Sequence, residues 1–316
     1  MKDYLGEIDT RFPVRNSPEQ KEAFREYVFE ETGKCGYFTS EEHNGVLKES
    51  GKHRNLLMGS PENARVVFTA HYDTPRRALI PNLLIPLNPV LKWTYVFLPV
   101  CLMLAVSIGA AFAVRSLTGL EGFPGRLLTI GVYVLLYFGL YLLFFRGPAN
   151  QRNRNDNTSG TAAVLSLAEK LAGVPGAAFI LFDDEEKGKK GSKAYAAYRP
   201  EVKTDRLIVN LDCVGNGDHF IVSATPAAME DPAYPALSAA LEGIGAKVFP
   251  ASKASMNSDQ KNFDRGVGIC ACFCRRGIYY TPRIHTSRDT EASAENIQRL
   301  TDALAGFVQQ LSGREN

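Results

Sequence analysis

Two uncharged apolar runs, residues 94–114 and 127–145, constrain this chain more than any other feature. They hold 21 and 19 residues, with Lys92, Trp93 and Arg115 flanking the first and Arg126 and Arg146 the second. Each makes a helix of roughly 30 Å, the thickness of a bilayer's hydrocarbon core. A pair of buried core helices is the alternative, and it fails on length, since adjacent uncharged runs of about 20 residues are rare in soluble domains. A transmembrane hairpin over 90–146 is therefore expected, dividing one globular domain into residues 1–89 and 147–316. The first residues, Met1 to Glu7, are polar, so no cleavable signal is expected and targeting falls to the hairpin.

Outside the hairpin the pattern is α/β. Ser17-Pro18-Glu19-Gln20 reads as an N-cap, a proline at the first helical position and a capping-box glutamine, with Gly33 closing the helix. Short strands are expected over 44–48 and 54–58, and β-rich runs over 64–70, 177–182, 207–211 and 267–274. Helices are expected over 160–172, 234–243 and 293–312, the last with Ile297, Leu300, Leu304, Phe307, Val308 and Leu311 on one face. Strands alternating with helices imply a largely parallel sheet covered on both sides.

The net charge of +2 gives no sign of a nucleic-acid partner. The six cysteines show no disulfide framework, and reduced thiols fit a cytosolic compartment. Cys270, Cys272 and Cys274 alternate along one strand face, where they read as buried free thiols rather than ligands able to wrap an ion.

Polar residues stand just beyond three apolar strands: His71, the Glu185-Glu186 pair and Asp212. Ligands bind at such strand ends in open α/β sheets. Asp156 lies at a helix start and His285 in a loop before the last helix. Alone, each reads as well as a cap, a turn or a solvated loop. Together, two imidazoles and several carboxylates suit zinc, and a shared carboxylate can bridge two ions.

In chain order, His71-x-Asp73, Asp156-Asn-x-Ser-Gly, Glu185-Glu186-x-Gly-x-x-Gly-Ser, Asp212 and His285-x-x-x-Asp289-Thr290 resemble the co-catalytic di-zinc aminopeptidase and glutamate carboxypeptidase family. The resemblance runs from about residue 54 to 312, hairpin excluded. It implies a three-layer α/β/α sandwich around a mixed, mostly parallel sheet of eight strands, two Zn2+ per chain and peptide substrates, most often cut at the amino end. By the same resemblance His71 and Asp212 bind one zinc, Glu186 and His285 the other, and Asp156 bridges them. Glu185 is the implied general base, and Asp73 the residue that holds the second nitrogen of His71, with Asp289 a candidate for the same role at His285.

The sequence departs from the family in places. Arg152-Asn153-Arg154-Asn155 replaces the usual Gly-Ala-Asn before the bridging Asp, and the two arginines suit a substrate carboxylate or lipid headgroups equally. Gln260 stands where a His often follows Ser-Asp, and Tyr279 and Tyr280 are candidates for the oxyanion by proximity alone. A single-zinc glutaminyl cyclase and an inactive membrane scaffold of the same fold are the alternatives. Arg76, Arg77, Lys92, Arg146, Arg152 and Arg154 lie on the domain side of the hairpin, against Arg115 and Arg126 at its tip, so the catalytic domain is expected in the cytoplasm.

Overall fold

The computed structural model describes residues 2–43, 53–80 and 82–313. The strand expected over 44–48 falls outside them. In chain order the strands are β1 (Thr39–His43), β2 (Arg54–Met58), β3 (Val66–His71), β4 (Asn82–Leu84), β5 (Ala177–Phe182), β6 (Leu207–Leu211), β7 (His219–Ala224), β8 (Lys247–Pro250), β9 (Gly266–Arg275) and β10 (Ile278–Ile284). The helices are α1 (Tyr4–Arg11), α2 (Pro18–Lys34), α3 (Pro89–Thr118), α4 (Gly122–Phe145), α5 (Gly160–Lys170), α6 (Lys190–Tyr198), α7 (Pro200–Asp205), α8 (Pro226–Met229), α9 (Tyr234–Gly243) and α10 (Ala294–Ser312).

All ten strands join one sheet, in the order β1-β2-β5-β3-β6-β9-β10-β4, with β7 and β8 attached through β9. The centre is parallel: β3 lies between β5 and β6, and β6 pairs β9. Antiparallel pairs extend it on both sides. Among the described residues the sheet therefore has ten strands, where the family resemblance implied eight.

Alternation along the central strands divides the core into two layers. Val66, Phe68, Phe179, Leu181, Leu207 and Val209 face α1, α2, α5, α9 and α10. Val67, Ala178, Ile180, Phe182 and Ile208 face α6 and α7. The three-layer α/β/α sandwich follows from strands that are apolar on both faces and so must be covered on both.

Helix α2 starts as its sequence dictates, with Ser17 and Gln20 closing a reciprocal capping box. On β9, Cys270 and Cys272 are buried side by side with sulfurs 3.7 Å apart. Cys274 is exposed, contrary to expectation, because β9 runs past the covered sheet into its hairpin with β10.

Helices α3 and α4 are long and apolar enough to cross a membrane, and none of the most apolar stretch of α4 is buried against the protein. That exposure is not that of a helix buried in this chain's own core. On α3, Met103, Ser107 and Ala111 recur every four residues and are the buried positions. The hairpin is a little longer than its uncharged runs because Asn88 caps α3 and Gly119 ends it in a left-handed turn. Its root is zipped: Arg77 donates to the Pro148 carbonyl at 2.8 Å, Gly147 to Arg77 at 3.1 Å and Leu79 to Phe144 at 2.9 Å. Both ends of the hairpin therefore leave the domain at one place.

Candidate metal centre

Because β5, β3 and β6 are parallel neighbours, their C-terminal ends deliver His71, the Glu185-Glu186 loop and Asp212 to one edge of the sheet. Asp156 comes from the turn Arg154–Ser159, and His285 directly follows β10. The Asp156–Asn157 peptide bond is cis. The Asp156 carboxylate lies between two imidazoles. Its Oδ1 is 3.5 Å from His71 Nε2, and its Oδ2 is 3.1 Å from His285 Nε2. Asp212 Oδ1 stands 3.8 Å from His71 Nε2, and Glu186 Oε2 3.3 Å from His285 Nε2.

These separations fit zinc. Donors about 2.0–2.2 Å from a tetrahedral ion are roughly 3.3–3.5 Å from one another, close to the spacings within each His–carboxylate set. Asp212 Oδ1 is buried without a hydrogen-bond partner, as a ligand oxygen awaiting a cation would be. Cys213 also brings its sulfur near Asp156 and Asp212. Burial and those two carboxylates push its thiol pKa well up, which keeps it in the neutral form that binds zinc poorly.

A rigid second layer holds the donors. His71 Nδ1 lies 3.1 Å from the Asp73 carbonyl and 3.4 Å from its carboxylate. The same carboxylate accepts from the Glu185 and Glu186 amides at 3.0 and 3.2 Å, so Asp73 couples two strand ends. Asp289 works differently from expectation. Its two oxygens accept from the backbone N–H groups of Asn155 and Asp156, both at 3.0 Å, and so it fixes the Asp156 turn rather than the His285 ring. Asn155 Oδ1 accepts from the amides of Gly215 and Asn216, and Asn157 bridges Cys213 N and the Leu211 carbonyl, tying that turn to the end of β6.

Two buried cations in this layer have no signature in the sequence. Arg15 is fully buried, donating to Phe12 O, Tyr72 O and Thr158 Oγ1, and burial lowers its pKa to about 10. Lys21 of α2 lies 2.5 Å from both Asp183 and Asp184, the pair that directly precedes Glu185.

The donors carry more negative charge than a bare protein interior tolerates. Burial pushes Glu185 well above the usual carboxylate range, with Asp259, Glu186 and Asp212 adding to the effect against His71. Burial, then His285 and Asp156 in opposite senses, leaves Glu186 raised too. Burial opposes charge on His71 and His285, yet the carboxylates around them outweigh it and raise both pKa values well above normal. Burial also takes Asp289 to about 8. A divalent cation would relieve this surplus.

The sequence profile of peptidase family M28 matches residues 150–308, half of the chain. This chain belongs to peptidase family M28. It is accordingly a zinc metallopeptidase. His71 and Asp73 precede the matched region. No curated protein matches the sequence significantly. Solved structures with the same fold include a Zn-dependent exopeptidase from Parabacteroides distasonis, at 16% identity and a TM-score of 0.59 over 96% of this chain and 95% of that one. A glutaminyl cyclase from Bacteroides thetaiotaomicron has 14% identity and a TM-score of 0.57 over 96% and 94%. An aminopeptidase from Legionella pneumophila has 14% identity and a TM-score of 0.56 over 98% and 70%.

The M28 site opens into a cavity of about 520 Å3 whose wall includes all four acidic residues of the cluster and both histidines. Gln260 is in that wall, hydrogen-bonded to Asn210 and the Met256 carbonyl. Tyr279 and Tyr280 are not in it: Tyr279 packs edge-on against His219. Arg154 pairs with Asp9 of α1 at 2.6 Å, and Arg152 is exposed, so neither lines the cavity.

Proposed function

We propose that this M28 chain is a membrane-anchored di-zinc aminopeptidase. The observation that carries the reading is the placement of Asp156, each of whose oxygens faces a separate His–carboxylate pair. His71 and Asp212 would hold one ion, His285 and Glu186 the other, and Asp156 both. Zinc so held supplies Lewis-acid polarisation of a carbonyl and acidifies water. Glu185 acts as general base. It lies in the cavity wall beside the donors, its backbone fixed by Asp73, and burial raises its proton affinity. It takes a proton from the attacking water and returns it to the departing amine. Asp73 and Asp289 keep the ligands aligned. Removal of a terminal residue, rather than internal cleavage, is supported by the fold shared with exopeptidases and an aminopeptidase.

Membrane anchoring rests on the exposed apolar surfaces of α3 and α4 and on the zipped root of the hairpin. The excess of basic residues on the domain side supports a cytoplasmic catalytic domain.

Metal analysis of purified protein, combined with peptide substrates, tests the reading. Close to two zinc ions per chain are expected, and peptides with a free amino end should be cut in preference to acetylated ones. Glu185→Gln should lose about 10²–10⁴ in rate with zinc retained, whereas Glu186→Gln should lower zinc content. Full activity with one tightly held ion would refute the two-metal site and favour cyclase-like chemistry. Thiol labelling in intact cells tests topology: Gly119→Cys should react with an impermeant reagent and Gly188→Cys should not.

A further inference from the structure

The cavity wall has an unbalanced charge pattern. Among the described residues its only acidic ones are Asp156, Glu185, Glu186 and Asp212, all within the candidate metal cluster, where bound zinc would offset them. Three lysines from three separate elements also line it: Lys92 of α3, Lys189 at the start of α6 and Lys261 of the turn Asp259–Asn262. Among the described residues none of the three has a carboxylate within ion-pair distance. Lys92 Nζ lies 3.4 Å from the Ser255 carbonyl and 3.3 Å from its hydroxyl, and Lys189 Nζ donates to Asn257 Oδ1 at 3.0 Å. The loop bearing Ser255 and Asn257 thus gathers two ammonium groups at the cavity with neutral partners that leave their charges uncompensated.

We infer that Lys92, Lys189 and Lys261 form a subsite for a carboxylate of the peptide, either an acidic side chain or the free carboxyl end of a short substrate. The inference rests on the peptidase reading and adds a substrate class to it. Like charges brought together at a concave, partly desolvated wall raise the local potential, and an anion relieves that repulsion as it binds. Partial burial and then the charge of Lys189 lower the pKa of Lys261. The apolar neighbours of Lys92 on α3, Trp93 and Val96, also reach the cavity. The hairpin is therefore part of the substrate wall as well as an anchor.

The test measures binding, so that it does not depend on turnover. Full-length zinc-loaded Glu185→Gln protein in detergent is titrated by calorimetry with Leu-Glu-amide, Leu-Gln and Leu-Gln-amide. The first carries only the side-chain carboxylate, the second only the terminal one, and the third neither. One carboxylate peptide should bind about tenfold or more tightly than Leu-Gln-amide, as charge-assisted hydrogen bonds warrant, and which one identifies the source. In Lys261→Gln and Lys189→Gln backgrounds that ratio should fall to within about threefold, with zinc content and melting temperature as checks on folding. Equal or undetectable binding of all three peptides would overturn the subsite. So would a ratio that survives in both lysine variants, since the carboxylate would then be bound by zinc itself. Lysine-dependent binding without cleavage by the unsubstituted enzyme would uphold the subsite and refute the peptidase reading instead.

Discussion

Replacing Lys21 by methionine removes the cation that two buried carboxylates, Asp183 and Asp184, share directly before Glu185. The side chains of Lys21, Asp183 and Asp184 are 6%, 2% and 5% exposed, so the three charges are desolvated together. Breaking a buried pair from one side costs about 3–5 kcal/mol, because the remaining charge stays buried without its partner. The lower end applies here. Asp184 keeps Lys187 at 2.8 Å and His53 at 2.7 Å, and Asp183 keeps amide bonds from Arg54 and Asp184. A loss of about 3 kcal/mol should lower the melting temperature of a domain this size by about 6 °C. The pH dependence follows from the two carboxyls separately. Asp183 is already raised by burial, so without Lys21 its charged form is the costly one. A folded pKa above the unfolded value takes stability away as pH rises, so the deficit of Lys21→Met should be full at pH 7 and shrink as pH falls toward 4. Asp184 is held down at about 2 against burial, chiefly by Lys21 and then Lys187. Its stabilisation is present above its unfolded value near 3.8 and is lost as pH falls through about 2. Thermal unfolding of Lys21→Met and of Lys21→Met/Asp183→Asn at pH 7 and pH 5 reads the Asp183 effect, since the Asp184 contribution is constant over that range. A single variant within 1 kcal/mol of the parent, or a double variant no more stable than the single, would refute the argument.

Asp289→Asn keeps one acceptor but loses the paired grip on the Asn155 and Asp156 amides, so zinc affinity should drop about 10–100-fold in a chelator competition while circular dichroism is unchanged. Gly160→Ala would place a methyl 2.2 Å from the Leu211 carbonyl and 2.4 Å from Asn157 Oδ1, displacing the Asp156 turn; it should cost about 1–3 kcal/mol in denaturant unfolding and lower zinc content. Replacing residues 90–146 by a short Gly/Ser linker should give a detergent-free, zinc-loaded domain, since every candidate ligand lies outside them. The same deletion removes Lys92, so discrimination between the preferred carboxylate peptide and Leu-Gln-amide should weaken in it.

The elements that build the site were readable because each is locally consistent. β3, β5 and β6 are apolar runs that stop at a polar residue, and parallel pairing then makes sequence ends into spatial neighbours. α2 carries its own start signal in Ser17 and Gln20. What the sequence concealed depends on distant partners. Nothing in their local sequence marks Lys21 or Arg15, and the carboxylates that Lys21 meets, Asp183 and Asp184, lie more than 160 positions away. β10 contains Pro282 and pairs at the rim of the sheet, and β1 is built of Thr-Ser-Glu-Glu-His, so neither shows the apolar run of a central strand. Asp289 was recognised as a supporting residue but given the wrong partner, because spacing from His285 says nothing about which backbone amides its oxygens meet. Lys92 read as a flank of the first apolar run. Its place at the cavity depends on how α3 stands against the Ser255 loop.

Strand order also sets a timetable for synthesis. Both neighbours of β3 in the sheet, β5 and β6, lie beyond the hairpin in the chain. When residue 146 has been made, β3 exists with His71 at its end but has neither of its partners. The hairpin is then complete, and nothing in the half-made domain can close around it. On the membrane-anchored reading proposed above, α3 and α4 are therefore synthesised before the sheet can close around β3, and His285, the last of the candidate ligands, is made after both helices.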